Sequence, residues 1–247
     1  MNKRDATPRL IPVIDVRGGI VVRAVAGQRD RYRPLVSRLI NSIDPFAVAA
    51  TLCRNTQTNE IYVADLDAIV DGAPSFDIYT KLNAEGFSCW LDAGIRTNLE
   101  ALSVAKFGVN VIVVGLETIR SVEELRAAVG LLGPSRLAFS LDLRDGRPIC
   151  DPTVWDPDPE IIANMAVGAG VQKMIVLDLS RVGVGSGTGT ERLCSTLKSR
   201  FPNLELVAGG GIRTIKDIRS LGEAGVSAVL VASALHDGLI NPENWQA

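Results

Sequence analysis

Short apolar runs alternate with amphipathic segments along this chain. Eight runs, Leu10–Asp15, Glu60–Asp65, Ser88–Asp92, Asn110–Gly115, Leu137–Asp142, Lys173–Asp178, Leu204–Gly209 and Ala228–Ala232, are apolar at nearly every position. That is the pattern of strands covered on both faces, as in a parallel sheet. Between them, helical spacing runs over Asp44–Arg54, Thr97–Phe107, Val122–Leu132, Pro159–Gly168, Glu191–Arg200 and Ile215–Glu223, and Ser75–Glu85 is read as a further helix. Asp44 and Thr97 stand where N-capping residues belong. Strands that alternate with helices predict parallel order, either in a closed α/β barrel or in an open doubly wound sheet.

An internal repeat favours the barrel. Residues Asp92–Thr118 lie without a gap over Gly209–Leu235, sharing Gly-Ile-Arg-Thr and a Gly-Val before the apolar run. In the same order, IPVIDVRGG around Asp15 answers AFSLDLRDG around Asp142, and IYVADLD around Asp65 answers MIVLDLS around Asp178. A repeat this long exceeds a solenoid unit. It predicts an α/β fold of the (βα)8 TIM-barrel class, built from two duplicated half-barrels at about 10–133 and 134–238 within one domain spanning 1–247. The 247 residues suit such a barrel, and no Ser/Gly/Pro-rich linker divides them.

In a barrel of this kind the strand C-termini face the active-site mouth. Five of the eight strands end in Asp, namely Asp15, Asp65, Asp92, Asp142 and Asp178. A buried carboxylate is costly unless paired, so some of these are expected to cap helices or to pair with Arg17, Arg96 or Arg144. Asp15 and Asp142 stand out, because strands one and five face each other across the barrel. One carboxyl can donate a proton while the other removes one.

The glycines suggest a second chemistry. Gly209-Gly210-Gly211 removes side chains where backbone N–H groups can wrap an oxyanion, and Ser233-Ala234-Leu235 can begin a short helix aimed at the same point. This predicts a phosphate cup after strands seven and eight; the plainer alternative is that the glycines only make tight turns. The loop Ala26–Arg38 carries Arg29, Arg31, Arg33 and Arg38 beside Tyr32 at the same face. It can reach substrate or serve as a solvated lid. His236, the chain's single histidine, lies just after strand eight; it is expected in a surface loop, with contact to phosphate as the alternative.

Charge and cysteine content narrow the classes. With 26 basic and 28 acidic residues there is no global attraction to nucleic acid or to an anionic membrane. Cys53, Cys89, Cys150 and Cys194 are scattered without a C-x-x-C, which argues against a zinc site or a disulfide scaffold and for a reducing cytoplasmic location. The start MNKRDATPRL lacks an apolar leader core, and no apolar run approaches the roughly 20 residues of a membrane span.

The blocks IPVIDVRGGIVVRAVAG, YVADLDAI, GIRT, SLDLRDG, LDLSRVG and AGGGIRTIKDI, in this order from Leu10 to about Gly238, resemble one family. It is the histidine-pathway half-barrel pair: the phosphoribosylformimino-aminoimidazole-carboxamide-ribotide isomerase and the imidazole-glycerol-phosphate cyclase. The resemblance implies that Asp15 and Asp142 are an acid/base pair, with one phosphate at Gly210, Gly211 and Ser233 beside Ala234. Asp178 and Arg29 are further candidates for substrate contact. Trp155, in the loop DPTVWDPDP, resembles the isomerase's loop tryptophan that stacks on the substrate's heterocycle; a hydrophobic plug over the barrel is the alternative.

The departures from the family are specific. Its other phosphate site needs a glycine triplet after strand three and Gly-Thr or Gly-Ser after strand four, whereas this chain has Asp92-Ala93-Gly94 and Gly115-Leu116. Thr before the strand-six Asp, and Arg-Asp-Gly after it, are replaced by Leu177 and by Arg181-Val182-Gly183. The first-loop pattern G-Q-R-x-x-Y-x-P-x-x-S is similar to that of isomerase-related proteins in methanogens and in bacteria that use tetrahydromethanopterin.

The expectation is an enzyme acting on a phosphorylated sugar or phosphoribosyl-type compound, most readily an aldose–ketose isomerase, and a poor one on the two-phosphate ribotide. A cyclase or lyase on another phosphosugar in a pterin or one-carbon pathway is one alternative, and a non-catalytic phosphometabolite-binding protein another. No metal or cofactor is expected. A glutaminase partner or self-association is not readable from the sequence.

Overall fold

The computed structural model describes residues 7–184 and 187–241. The start of the chain, read above as lacking a leader core, falls mostly outside the described residues, as does the end. Eight strands form the barrel: β1 (Arg9–Arg17), β2 (Glu60–Asp65), β3 (Ser88–Asp92), β4 (Val111–Gly115), β5 (Leu137–Arg144), β6 (Lys173–Asp178), β7 (Glu205–Gly209) and β8 (Ala228–Val231). Each pairs in parallel with the next, and Leu10 of β1 meets Val229 of β8, closing the ring. The fold is a (βα)8 barrel, as expected.

Among the described residues seven helices of eight residues or more wrap it: α1 (Pro45–Thr56), α2 (Phe76–Ala84), α3 (Asn98–Ala105), α4 (Val122–Leu132), α5 (Pro159–Gly168), α6 (Glu191–Arg200) and α7 (Ile215–Glu223). Their starts follow from local sequence. Asp44, Thr97, Ser121, Asp158 and Thr214 each accept a backbone N–H in the first turn, and Pro45 and Pro159 occupy first-turn positions where no N–H is needed.

Side chains alternate between two cores. Outward residues such as Leu91, Ile112, Val114, Phe139, Leu141 and Val176 pack against the helices. Inward residues such as Ile11, Tyr62, Trp90, Val111, Val113, Ala138, Ile175 and Val207 fill the barrel. At its N-terminal end an ion network closes the floor: Arg9 reaches Glu60 at 2.8 Å and Glu205 at 2.7 Å, Lys173 reaches Glu205 at 2.8 Å, and the Trp90 indole donates to Glu60 at 3.1 Å.

Beyond the barrel rim, β1 and β5 continue into hairpins that period-two reasoning did not anticipate. Arg17 pairs with Ile20 across Gly18 and Gly19, and Arg144 pairs with Arg147 across Asp145 and Gly146. Both central residues of each turn have positive φ (57° and 78°; 52° and 75°), the geometry of a two-residue I′ turn, for which Asp-Gly and Gly-Gly are suited. The return strand Ile20–Arg23 then pairs with Arg33–Pro34, which ties the first loop down beside the mouth.

Two strand-end aspartates hold these rims. Asp65 is buried and accepts from Asp67 N, Ala68 N, Ser75 N and the Tyr79 hydroxyl. Asp178, also buried, accepts from Ser180 N and Oγ and from the turn amides of Asp145 (3.2 Å) and Gly146 (2.9 Å), which holds its carboxyl below the usual carboxylate range despite the opposing effect of burial. Asp178→Ala should leave those amides without their charged acceptor and lower stability by about 1–3 kcal/mol in urea unfolding. An unchanged urea midpoint would show that the turn does not depend on it.

Candidate active site

Strand parity decides which aspartates reach the cavity. The inward set of β1 is Ile11, Val13 and Asp15; that of β3 is Trp90 and Asp92; that of β5 is Ala138, Ser140 and Asp142. Asp65 and Asp178 are one residue out of step with their inward neighbours Ala64 and Leu177, so they turn to the rim. The repeat places Asp15, Asp92, Asp142 and Gly209 at equivalent points of the four odd-numbered strands, where barrels of this class stack one layer of four. The uppermost layer therefore consists of three carboxyl groups and one glycine.

A cleft of about 300 Å3 opens above this layer. It is lined by Asp15, Asp92, Asp142, Tyr62, Tyr32, Arg29 and Glu117 on one side and by Gly210, Gly211, Ser233, Ala234 and His236 on the other. Of the residues picked from sequence, Asp15, Asp142, Gly210, Gly211, Ser233, Ala234 and Arg29 come together here. Asp178 and Trp155 do not line it. Trp155 is 2% exposed and packs 5.9 Å from the Phe139 ring on the helix side of the wall, so it neither stacks over the cleft nor plugs the mouth. Its indole N–H has no acceptor among the described residues.

The expectation for His236 is corrected. It is 4% exposed, with Nδ1 3.0 Å from Ser37 Oγ, because the short helix Ser233–His236 turns its last residue into the cleft wall. Burial, and then the charge of Arg23, push its pKa down to about 4, so it is neutral at physiological pH.

Each carboxyl has a distinct setting. The Asp15 backbone is fixed on both sides, opposite Ala64 of β2 and Val22 of the return strand. Its carboxyl has no hydrogen-bond donor among the described residues, and burial followed by the charge of Asp92 pushes its pKa to about 7. Asp142 is 6% exposed and accepts the Ser140 hydroxyl at 2.6 Å. It leans over Gly115, where a side chain would come within 3.1 Å of its Oδ2. Burial, followed by Glu117, drives it to about 8, with Asp92 adding in the same direction against the Ser140 bond. Asp92 accepts Gly94 N at 3.0 Å and the Tyr62 hydroxyl at 3.3 Å, and burial raises it to about 6.

The two ends of the cleft differ as the repeat suggested. After β7, Gly210 and Gly211 have φ of 85° and 79°, and side chains there would come within 2.6 Å of the Asp178 carbonyl oxygen and 2.2 Å of the Gly187 carbonyl oxygen. Glycine is thus required on packing grounds alone, and the resulting bare backbone faces the cleft beside the opening turn of Ser233–His236. At the matching place after β3, the Gly94 amide is taken by Asp92, and Glu117, opposite Ala234 in the repeat, is ion-paired with Arg29. Among the described residues no group of three or more His, Cys, Asp or Glu is arranged to hold a metal ion, and no helix is long and apolar enough to cross a membrane.

A closed parallel barrel with acidic groups at the C-terminal ends of β1, β3 and β5 is a barrel built for chemistry at that face. The chain belongs to the histidine biosynthesis protein family, whose model matches residues 9–241. It is 30% identical over 237 residues to an uncharacterised protein of Methanocaldococcus jannaschii, covering 95% of this chain and 96% of that one. It is 27% identical over 233 residues to the 1-(5-phosphoribosyl)-5-((5-phosphoribosylamino)methylideneamino) imidazole-4-carboxamide isomerase of Leuconostoc mesenteroides (93% and 94% covered). The isomerase of the same name from Halorhodospira halophila is 28% identical over 241 residues (93% and 92% covered). The resemblance read from the motifs is borne out, including its leaning towards a divergent subgroup.

Sequence reading passed over Tyr62, Ser140 and Glu117, and took Asp92 only as an obstacle to phosphate. Parity was the available signal: Tyr62 and Ser140 stand an even number of residues from inward positions of their strands.

The raised carboxyls carry a pH signature. Unfolded aspartate titrates near 3.8, and in the folded state these groups hold their protons to about 6, 7 and 8, so the native state binds more protons and stability falls as pH rises. Neutral His236 acts oppositely, but only between about 4 and 6.5. From about pH 6.5 to 8, urea unfolding should show stability dropping by on the order of 1 kcal/mol per pH unit, with a shallower fall in Asp142→Asn. A flat or rising profile would contradict the protonated state of the layer.

Proposed function

We infer that the protein is a phosphosugar isomerase in which Asp15 and Asp142 move the proton and the Gly210, Gly211 and Ser233 backbone holds a phosphate. One observation carries this reading: two carboxyl groups with pKa values pushed to about 7 and about 8 face a single cleft from opposite strands. Near neutral pH the first is substantially ionised while the second keeps its proton, which is the division of labour that general base and general acid require. Family membership and the named activity of the isomerase relatives support the reaction class.

In this mechanism Asp142, steadied by Ser140, protonates the sugar-ring oxygen and opens the ring. Asp15, without a hydrogen-bond donor among the described residues, removes the proton from the carbon next to the aldehyde-level carbon, giving an enediol or its amino equivalent. Return of a proton to the neighbouring carbon yields the ketose. Tyr62 and Tyr32 border the reacting region; burial foremost raises both hydroxyls, which therefore stay protonated and can donate. Phosphate binding at the β7–β8 end holds the sugar in reach, so that its binding energy is used at a distance from the chemistry. The Ser233 and Ala234 amides stand in the first turn of a helix, where N–H groups lack internal partners. The substrate is a small phosphorylated metabolite, and no cofactor takes part.

The direct test is wash-in of solvent deuterium. Phosphorylated aldoses and aminoaldoses incubated with the protein in heavy water should exchange the hydrogen next to the carbonyl, followed by NMR. Asp15→Asn and Asp142→Asn should each slow exchange by roughly 100-fold to 10,000-fold while inorganic phosphate still binds. Near-normal exchange in either variant would remove that residue from the mechanism.

The degraded first-half cup makes a further expectation specific. The protein should be a poor catalyst on the two-phosphate ribotide named in its relatives, because Asp92 and Glu117 stand where the second phosphate would rest. Ordinary turnover of the purified protein on that ribotide, with growth of an isomerase-deficient bacterium without histidine, would contradict this.

A further inference from the structure

Resting on the phosphate-cup reading above, we propose that Asp92 is a positioning residue: its carboxylate occupies from within the chain the anion seat of the first half-barrel and, through its charge, favours the protonated form of both Asp15 and Asp142. Three observations of geometry support this.

The first is the seat itself. Gly94 matches Gly211 in the repeat, has a φ of 63° against 79°, and is equally intolerant of a side chain, which would come within 2.7 Å of the Ile69 Cα. Gly94 therefore makes the same left-handed step as Gly211, whereas Ala93, opposite Gly210, does not take the left-handed conformation that Gly210 has. At Gly94, however, the amide donates to Asp92 Oδ1 at 3.0 Å, and the other oxygen of that carboxylate takes the Tyr62 hydroxyl at 3.3 Å. A charged oxygen is already present where a ligand's oxygen would lie.

The second is the register. Asp15 lies opposite Ala64, and Ala64 opposite Asp92, so the two acids flank a single small residue in one row of the sheet. Their backbones stand about two strand spacings apart, roughly 9–10 Å, and both side chains point inward. The third is the missing side chain of Gly115, which lets Asp142 lean towards β4, the strand that pairs with β3. The groups facing Asp92 are Tyr62 from β2, Asp15 from β1, Asp142 from β5, Glu117 beyond β4, Arg29 from the first loop and, at the α2 side, Tyr79. Arg29 is paired with Glu117, so two acidic groups meet one cation here.

The consequence is functional. An enzyme whose substrate brings two phosphates has an anion near its acid only when loaded. This chain carries one permanently, so the protonated forms of both Asp15 and Asp142 are favoured in the free protein and the substrate needs a single phosphate. Asp92 contacts no reacting atom and acts only through its charge and through the turn it holds.

Asp92→Asn tests the charge, since the amide oxygen can still accept from Gly94 and the fold should survive. With aspartate carboxyl carbons labelled by carbon-13, NMR titration of the free protein should show the Asp15 and Asp142 midpoints moving to lower pH by about one unit relative to wild type. Unmoved midpoints would overturn the proposal. The double variant Asp92→Gly, Glu117→Ala, which restores the residue types found at Gly209 and Ala234, should bind two inorganic phosphates per chain by phosphorus-31 titration where wild type binds one. A folded double variant with no second site would overturn the seat. The two readings fail separately: shifted midpoints with no isomerase activity would sink the proposed reaction and leave this role standing, whereas activity lost in Asp15→Asn with unmoved midpoints in Asp92→Asn would do the reverse.

Discussion

Closure of the sheet between β1 and β8 fixes which strand side chains face the barrel interior. Once the ring is closed, residues two apart share a face, and a single step exchanges the barrel interior for the rim or the helix layer. Asp15, Asp92 and Asp142 are inward by that rule, Asp65 and Asp178 outward. Burial foremost raises the first three, with Asp92 adding to Asp15 and Asp142 and Glu117 adding to Asp142 and Asp92; the other two are buried with donors and serve the turns. Identical side chains at nearly identical strand ends thus acquire different partners from a difference of one position.

That rule also measures how far the sequence could be read. The strands and helices were legible because apolar runs recur eight times with helical spacing and capping residues between them, and the closed barrel followed from the repeat between Asp92–Thr118 and Gly209–Leu235. The cleft residues Asp15, Asp142, Gly210, Gly211, Ser233 and Ala234 were found by position at strand ends, and Arg29 by its place in the Arg-rich first loop. Asp178 and Trp155 were not brought to the cleft. For Asp178, counting in twos from Ile175 would have shown it to face out. For Trp155, nothing local distinguishes a loop tryptophan that stacks over a site from one that packs against Phe139. His236 looked like a loop residue because its helix is only four residues long, too short for periodicity to register.

The two halves show how one backbone supports different chemistry. Both strand-three and strand-seven ends make glycine turns with positive φ, and both first-strand positions extend into I′ hairpins. The differences lie in charge: Asp92 against Gly209, and Glu117 against Ala234. Where the second half leaves bare backbone towards the cleft, the first has filled the same volume with its own carboxylate, beside a Glu117 that is ion-paired with Arg29 from the loop. Such a change preserves the fold, because it alters the residues lining the mouth and leaves the packed layers beneath them intact.

The central claim is that a sugar phosphate lies with its phosphate at the β7–β8 end and its reacting carbons between Asp15 and Asp142. A crystal structure with a phosphorylated hydroxamate that mimics the enediol tests it most directly. The account predicts the phosphate against the amides of Gly211 and Ser233 and the hydroxamate oxygens within hydrogen-bond reach, about 2.6–3.2 Å, of both carboxyl groups. A phosphate at the Asp92 end, or a hydroxamate that touches neither carboxyl, would contradict it.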